Sequence, residues 1–329
     1  MVKIIELAVP SADATALEPN QRAFARLARD ADLIVYGHGD FSESDEATLE
    51  SWKSTKFWTS QRFLALTDSA DPADPHPSEV LGNAFVQFPL QENKHLAFVY
   101  LWVQPHARGR GIGTALKEAL REAILASGRS TAQVWVTGAV VPQDAPGAIV
   151  PPTGFGAVDG KLPAIRWLLE LGFQFEQVER ISTLTIPPAG PDREEWLAGV
   201  LRFRDHAAAH ASGYRLVTWT GPTPEHHLEG MAQLRRRMSV DMPTGGLSFD
   251  ADDFTAERIA YNDQRALAKG MIWVTVAAVA EAGGEPDAGG RSEAGGELDA
   301  GGRSEVGGEP DADGRSEARG ELVAYTVLE

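Results

Sequence analysis

The sequence contains no cysteine, and this absence removes several kinds of chemistry at once. Disulfide bonds, thiolate zinc sites and a cysteine nucleophile are all excluded. The chain also lacks the run of about 18 apolar residues that a membrane-spanning helix needs. Basic residues are scarce, since 30 Lys and Arg stand against 47 Asp and Glu, for a net charge of −17. We therefore expect no nucleic-acid or membrane partner, because both require a basic surface.

The amino-terminal residues do not have the pattern of a secretion signal. The run from Met1 to Pro10 is short and is interrupted by Glu6, whereas a signal peptide carries a longer apolar region. We expect a cytoplasmic protein. At 329 residues, the chain has room for about two domains.

A segment of low complexity occupies residues 281–320. It repeats a twelve-residue unit three times, beginning EAGGEPDAGGRS, and beyond alanine its only aliphatic residues are Leu298 and Val306. Such a segment cannot bury enough apolar surface to offset the entropy of ordering it. We predict a disordered insert. A stacked repeat architecture is the alternative, although the repeated unit offers no apolar face for stacking.

Strand-like runs flank this insert, and the first half of the chain follows the same plan. Each half has an apolar strand, then helical segments, then two strands rich in β-branched and aromatic residues. The first half continues with a strand at 95–103, a helix at 112–127, a strand at 132–137, a helix at 163–171 and a strand at 173–186. This alternation predicts an α+β or α/β fold of three layers around a mixed sheet.

The chemically informative segment lies where the strand at 95–103 meets the next helix. From Val103 to Thr114 it reads VQPHARGRGIGT. Free N–H groups at a helix N-terminus favour negative charge, glycines let a phosphate oxygen approach the backbone, and arginines add donors. The local interpretation is a cradle for a diphosphate.

Two common phosphate motifs do not fit this segment. A dinucleotide-binding loop needs a glycine where Thr114 stands, and an acidic residue after the next strand, which ends in Val136-Thr137-Gly138. A P-loop needs Lys and then Ser or Thr directly after its last glycine, which Gly113 does not have. A glycine turn that only starts a helix is the remaining alternative.

The pattern that remains is Arg-Gly-x-Gly-x-Gly after a strand that carries Val-x-Pro. It resembles the pyrophosphate-binding motif of the GNAT (Gcn5-related) N-acetyltransferases. The matching residues are Val103, Pro105, Arg108, Gly109, Gly111, Ile112, Gly113 and Leu116. Leu171-Gly172-Phe173 also resembles the closing helix and strand of that family. The resemblance implies a mostly antiparallel sheet flanked by helices.

The resemblance divides the chain into two parts. It predicts a complete GNAT-like acyl-CoA-binding domain at 1–187 and a partial second copy at 190–329, as in bacterial tandem-GNAT proteins. The second likeness rests on residues 238–246 and 321–326 and is weaker. The second copy stops before a phosphate-binding loop of its own, so we expect either a fragment or a truncated domain.

The family implies a site and a mechanism. The co-substrate would be acetyl-CoA, with no metal, and its pantetheine would run between the strands at 97–103 and 132–137. Backbone amides of Leu101, Trp102 and Val103 would polarise the thioester carbonyl. An amine of a small molecule or peptide would attack directly, so that positioning supplies most of the rate. The residues expected to hold the diphosphate are Arg108, Gly109, Arg110, Gly111, Ile112, Gly113 and Thr114.

One position departs from the family pattern. Many members carry a tyrosine that protonates the leaving thiolate four residues before the glycine of Leu-Gly-Phe, and here that position is Leu168. Tyr100 in the central strand is the substitute candidate. His38 and Asp40 lie in a loop where the family gathers acceptor-binding residues. The alternative function is a catalytically silent module that binds acyl-CoA. The sequence leaves the acceptor and the oligomeric state open.

Overall fold

The computed structural model describes residues 2–281 and 321–328. The predicted insert at 281–320 lies outside these ranges apart from Glu281, so its disorder stays a prediction, as do the predicted domain limits 1–187 and 190–329. Within the described ranges, none of the helices combines the length and the apolar composition that crossing a bilayer requires. The same ranges contain no cluster of three or more His, Asp or Glu arranged to hold a metal ion.

Residues 2–134 build one sheet with helices on both sides. The strands lie in the order β1-β2-β3-β4-β5. Neighbours are antiparallel except β4 and β5, which run parallel. The predicted fold class, a mixed and mostly antiparallel sheet flanked by helices, is confirmed. In chain order the elements are β1 (Val2–Leu7), α1 (Pro19–Tyr36), α2 (Asp45–Trp52), β2 (Trp58–Thr67), β3 (Val80–Pro89), β4 (Leu96–Val103), α3 (Ile112–Ala126) and β5 (Thr131–Val134).

The two faces of this sheet carry separate apolar cores. On one face α3 packs through residues spaced three or four apart, so that Leu116 is fully buried against Ala84 and its neighbours. On the other face Phe24 of α1 and Trp52 of α2 cover Leu64. Successive side chains of a strand point to opposite faces, so every central strand contributes to both cores.

The chain after β5 is less regular than the sequence predicts. It forms the short hairpin strands β6 (Ala148–Ile149) and β7 (Val158–Asp159) and the helix α4 (Pro163–Glu170). The predicted strand at 173–186 is wrong, because these residues have no regular secondary structure. A strand requires a neighbour for its backbone groups, and the segment pairs with no strand of the described ranges. Ile181 and Leu184 are therefore exposed.

The second half repeats the opening unit of the first. Its strands form an antiparallel sheet in the order β10-β9-β8. In the second half, the elements follow one another as strand, helix, helix, strand and strand. This order and the pairing of the strands match those of β1, α1, α2, β2 and β3. Apolar side chains of the two helices and of this sheet form a core of their own. The elements are α5 (Pro191–Ala209), β8 (Tyr214–Thr220), α6 (Leu228–Asp241), α7 (Ala256–Ala268), β9 (Val274–Ala280) and β10 (Leu322–Leu328).

A buried ion pair joins the two halves. Arg258 of α7 pairs with Glu92, which follows β3, and the two side chains are only 7% and 12% exposed. The guanidinium of Arg258 also lies 4.5 Å from the centroid of the Phe57 ring. Beside it, the Asn93 N–H donates to the Asp250 carboxylate (2.7 Å), and the Asp250 N–H donates to the Asn93 side-chain oxygen (2.6 Å). These contacts hold α7 against the first sheet.

We expect Glu92→Gln to lower the free energy of unfolding by up to about 3–5 kcal/mol, because it removes the carboxylate that pairs with a buried guanidinium, and the nearby Asp252 carboxylate offsets part of this loss. Urea denaturation followed by tryptophan fluorescence measures this loss. Lys56→Gln is the matched control, since it removes an exposed ion pair with Glu257 across the same interface and is expected to cost far less. Equal losses in the two variants would contradict a special role for the buried pair.

Candidate functional site

The first sheet opens between β4 and β5. The two strands pair only from Leu96 opposite Thr131 to Val99 opposite Val134, where β5 ends. Beyond this point β4 continues from Tyr100 to Val103, and no strand of the described residues pairs with it on that side. The result is a gap bordered by the free edge of the central strand.

The direction of the peptide groups decides which of them face this gap. The His95 carbonyl accepts a hydrogen bond from the N–H of Thr131, the first residue of β5, at 3.1 Å. The Gln104 N–H donates to the Leu81 carbonyl of β3 at 2.9 Å. Peptide groups alternate between the two sides of a strand. The groups of Leu101 and Val103 therefore face the gap, whereas that of Trp102 faces β3. Of the three residues whose amides the sequence predicts to polarise a thioester, Leu101 and Val103 direct their peptide groups into the gap and Trp102 does not.

The mouth of α3 lies just beyond the end of β4. Gly111 is the N-cap residue of the helix and has a left-handed conformation (φ 79°). It has no side chain that could accept a hydrogen bond from the first N–H groups of the helix. Gly109 also has a positive φ of 73°. The N–H groups of Ile112, Gly113 and Thr114 find no acceptor among the described residues. The glycines thus turn the chain so that unsatisfied donors point outward from the helix, as an anion requires.

The two arginines of the loop differ in their contacts. The Arg108 Nε donates to the Val103 carbonyl at 3.0 Å, and its guanidinium lies 4.8 Å from the centroid of the Trp102 ring. Arg108 therefore ties the loop to the end of β4. The side chain of Arg110 is exposed and makes no hydrogen bond or ion pair with the described residues. Arg110 is the cation that remains available to a bound phosphate.

Helix α4 packs beside this mouth. A Cβ atom built on Gly113 would lie 3.9 Å from Cη2 of Trp167 and 3.8 Å from Cγ2 of Val103. Leu168, the next residue of α4, is half-buried. The position where the resemblance predicts a tyrosine therefore carries a half-buried aliphatic side chain.

Tyr100 lies on the sheet face that α1 and α2 cover. Its ring stacks on Phe85 with centroids 5.3 Å apart. Burial raises the pKa of Tyr100, and the nearby Asp32 carboxylate and Tyr36 add to the effect. A raised pKa means that the hydroxyl holds its proton more tightly, so Tyr100 is a weaker acid than an ordinary tyrosine.

This face also presents two residues that the sequence did not single out, Asp32 and Tyr36 in the last turns of α1. The Ser42 hydroxyl donates to the Asp32 carboxylate at 3.2 Å, but burial outweighs this bond and raises the pKa of Asp32. The hydroxyls of Tyr36 and Thr137 lie 3.2 Å apart, just beyond the end of β5. The sequence signal that could have indicated Asp32 and Tyr36 was their spacing of four residues, which places them on one face of the helix that leads to His38.

The predicted acceptor-binding residues lie next to Tyr36. His38 Nδ1 and an oxygen of the Asp40 carboxylate are 3.1 Å apart. The rings of Tyr36 and His38 lie 4.6 Å and 5.5 Å from the ring of Phe41. The loop after α1 is thus a small aromatic cluster with an exposed carboxylate, and it borders the gap on the same side as Asp32.

Comparison with known proteins gives a family match over this region. Residues 40–141 match the model of the acetyltransferase (GNAT) family. No curated protein matches the sequence. Among solved structures, the chain is similar to a tandem GNAT protein from the clavulanic acid biosynthesis pathway, at 17% identity over 85% of this chain and 70% of that one, with a TM-score of 0.47.

Two further solved structures are also similar to parts of this chain. One is an aminoglycoside acetyltransferase from an uncultured soil metagenomic sample, in complex with sisomicin, at 17% identity over 56% of this chain and 97% of that one, with a TM-score of 0.35. Another is a GCN5-related N-acetyltransferase from Kribbella flavida, at 19% identity over 52% and 80% of the two chains, with a TM-score of 0.32.

The family match contains the central strand β4, the glycine loop, helix α3 and strand β5, so it spans both the gap in the sheet and the uncapped helix mouth. Residues 40–141, about a third of the chain, are therefore the part that is similar to the acetyltransferase (GNAT) family.

Proposed function

We propose that this protein is an acetyl-CoA-dependent N-acyltransferase that moves an acetyl group to an amine by direct attack. One observation carries the proposal: the gap along the free edge of β4 leads directly to the uncapped mouth of α3. A long carrier with a diphosphate at one end and a thioester at the other matches this combination of a groove and an anion site.

The chain offers separate groups for the two ends of such a carrier. The amides of Ile112, Gly113 and Thr114, with the Arg110 guanidinium, would hold the diphosphate. The pantetheine would lie along the β5 side of β4. The peptide groups of Leu101 and Val103 would orient the thioester, and an N–H aimed at its carbonyl oxygen would stabilise the charge that develops there.

Asp32 is the group that we assign to the acceptor amine. An amine is protonated at neutral pH and must lose a proton before its nitrogen can attack. The Asp32 carboxylate lies near Tyr100 and Tyr36, and its raised pKa makes it a stronger base than an ordinary aspartate. The freed nitrogen attacks the thioester carbon and loses its second proton to solvent as the amide bond forms, while the carbon–sulfur bond breaks to release the thiolate.

The departing thiolate requires a proton, and Leu168 cannot supply one. Tyr36 is our candidate donor, because its hydroxyl lies beside Thr137 at the edge of the gap. Tyr100 is less suitable, since its pKa is raised. The aliphatic Leu168 also favours a second candidate function, a module that binds acyl-CoA without turning it over.

We expect Arg110→Gln to weaken acetyl-CoA binding by about ten-fold or more, because a hydrogen bond to a charged group contributes about 1.5–3 kcal/mol. Isothermal titration calorimetry measures the change. Arg121→Gln is the matched control, since Arg121 lies on the exposed side of α3 and pairs with Glu118. Equal affinities for the wild type and both variants would refute the anion site, and so would a wild type that does not bind.

We expect Asp32→Asn to lower kcat by about 100-fold, the usual range for loss of a general base. In the wild type, kcat/KM should fall as the pH drops through the raised pKa of Asp32, because a protonated carboxyl cannot accept a proton. The variant should lack this acidic limb. Free CoA released from a panel of amines can be followed with a thiol reagent, and the absence of cysteine from the chain removes the background signal.

Asp30→Asn is the control for this experiment, because Asp30 lies on the same helix but is exposed. A wild-type acidic limb that persists in Asp32→Asn would remove Asp32 from the mechanism. A wild type that binds acetyl-CoA but acetylates none of the amines would favour the silent module.

A further inference from the structure

A cavity of about 270 Å³ lies where the two halves of the chain meet. One wall comes from residues 51–60 and from Gln87 near the end of β3. The other comes from α7 and the turn after it, through Asn262, Arg265 and Lys269. These three positions are three and four residues apart, so they share one face of the helix. The sequence motifs did not point to this cavity.

The charged residues that line the cavity are all cations, in a chain whose net charge is −17. Lys53 pairs with the carboxylate of Glu50 at 2.5 Å, and Lys269 pairs with Glu43 at 3.3 Å. Arg265 donates to the backbone carbonyl of Glu50 at 2.5 Å. Within the described ranges its guanidinium has no carboxylate partner. The cavity therefore holds at least one cation whose charge is not neutralised.

A further cation lies behind this wall. Arg62 is largely buried and donates to the hydroxyl of Ser60, a lining residue, at 2.7 Å. Burial lowers the pKa of Arg62 to about 9, partly opposed by Glu43, so the guanidinium is still charged at neutral pH. Lys53, Arg265, Lys269 and the Arg62 side chain behind the wall are thus four cations, against the two carboxylates of the ion pairs above. A partly enclosed polar site with this surplus favours an oxyanion.

The cavity lies on the same face of the first sheet as the acceptor side of the proposed acyl site. Trp58 in its wall lies 5.7 Å, between ring centroids, from Phe98. Gln87, also in the wall, pairs with Phe98 in the sheet register. Phe98 precedes Tyr100 by two residues and shares its sheet face, and Leu101 lies only ~10 Å farther along the strand. A molecule anchored in the cavity can therefore reach the gap with its other end.

We propose that this cavity binds an oxyanion, a carboxylate or a phosphate, of the molecule that accepts the acyl group. The second half of the chain then acts as a specificity element, which supplies Arg265 and Lys269 to a site on the first half. The inference rests on the proposed N-acyltransferase activity. It specifies the acceptor as a molecule with an amine at one end and an anionic group at the other.

The test uses ω-amino carboxylic acids and ω-aminoalkyl phosphonates of increasing chain length, with the neutral ω-amino amides as matched controls. In the full-length wild type, the best anionic amine should have a kcat/KM about ten-fold or more above that of its amide. Arg265→Gln and Lys269→Gln should each remove most of this preference and leave kcat/KM for the amides unchanged. Lys56→Gln, which loosens the same interface outside the cavity, should retain the preference.

Two binding measurements separate failure of this inference from failure of the proposed function. Calorimetric titration of the best anionic amine into the protein without acetyl-CoA should give an affinity that Arg265→Gln lowers. Calorimetric titration of acetyl-CoA reports on the first site alone. If acetyl-CoA binds but anionic and neutral amines react equally, the oxyanion site is refuted and the acyltransferase stands. If acetyl-CoA does not bind, the proposed function fails, and weaker anion binding in Arg265→Gln still supports the cavity as an anion site.

Discussion

A central strand that loses its neighbour halfway along is the constraint on which this structure depends. Backbone N–H and C=O groups in a partly buried sheet require partners. Where β5 ends opposite Val99, the sheet stops supplying them to Leu101 and Val103. A few residues later, the glycine turn leaves the first amides of α3 without acceptors. Both sets of groups border the same gap, and a long anionic carrier is the kind of molecule that satisfies both.

The second half of the chain repeats the opening unit of the first but contributes something different. Its sheet and helices have their own core, and α7 is held against the first half by the buried pair of Arg258 and Glu92. This contact sets the position of the rest of α7, including Arg265 on the cavity wall. The energetic role of the interface and its proposed role in recognition therefore belong to one helix.

Acid–base chemistry is the part of the site in which local sequence was least informative. The family pattern directs attention to Leu168, which has no acidic proton, and the substitute candidate Tyr100 has a pKa that burial raises. Asp32 and Tyr36 have no motif around them. They become noticeable only because the end of α1 lies over β4, where partial burial changes the carboxylate and brings the tyrosine hydroxyl to Thr137. Burial is a property of the folded chain and cannot be read from neighbouring residues.

The sequence by itself determined the local features: the glycine loop between strand and helix, the face of α3 that packs on the sheet, and the strand–helix order of both halves. These follow from backbone freedom and from apolar periodicity, which act over a few residues. Only the tertiary structure decided where β5 stops pairing, that residues 173–186 form no strand, and that Arg265 lies across a cavity from Lys53. Each of these depends on partners far away along the chain, and the pattern of one segment does not name the partner it will meet.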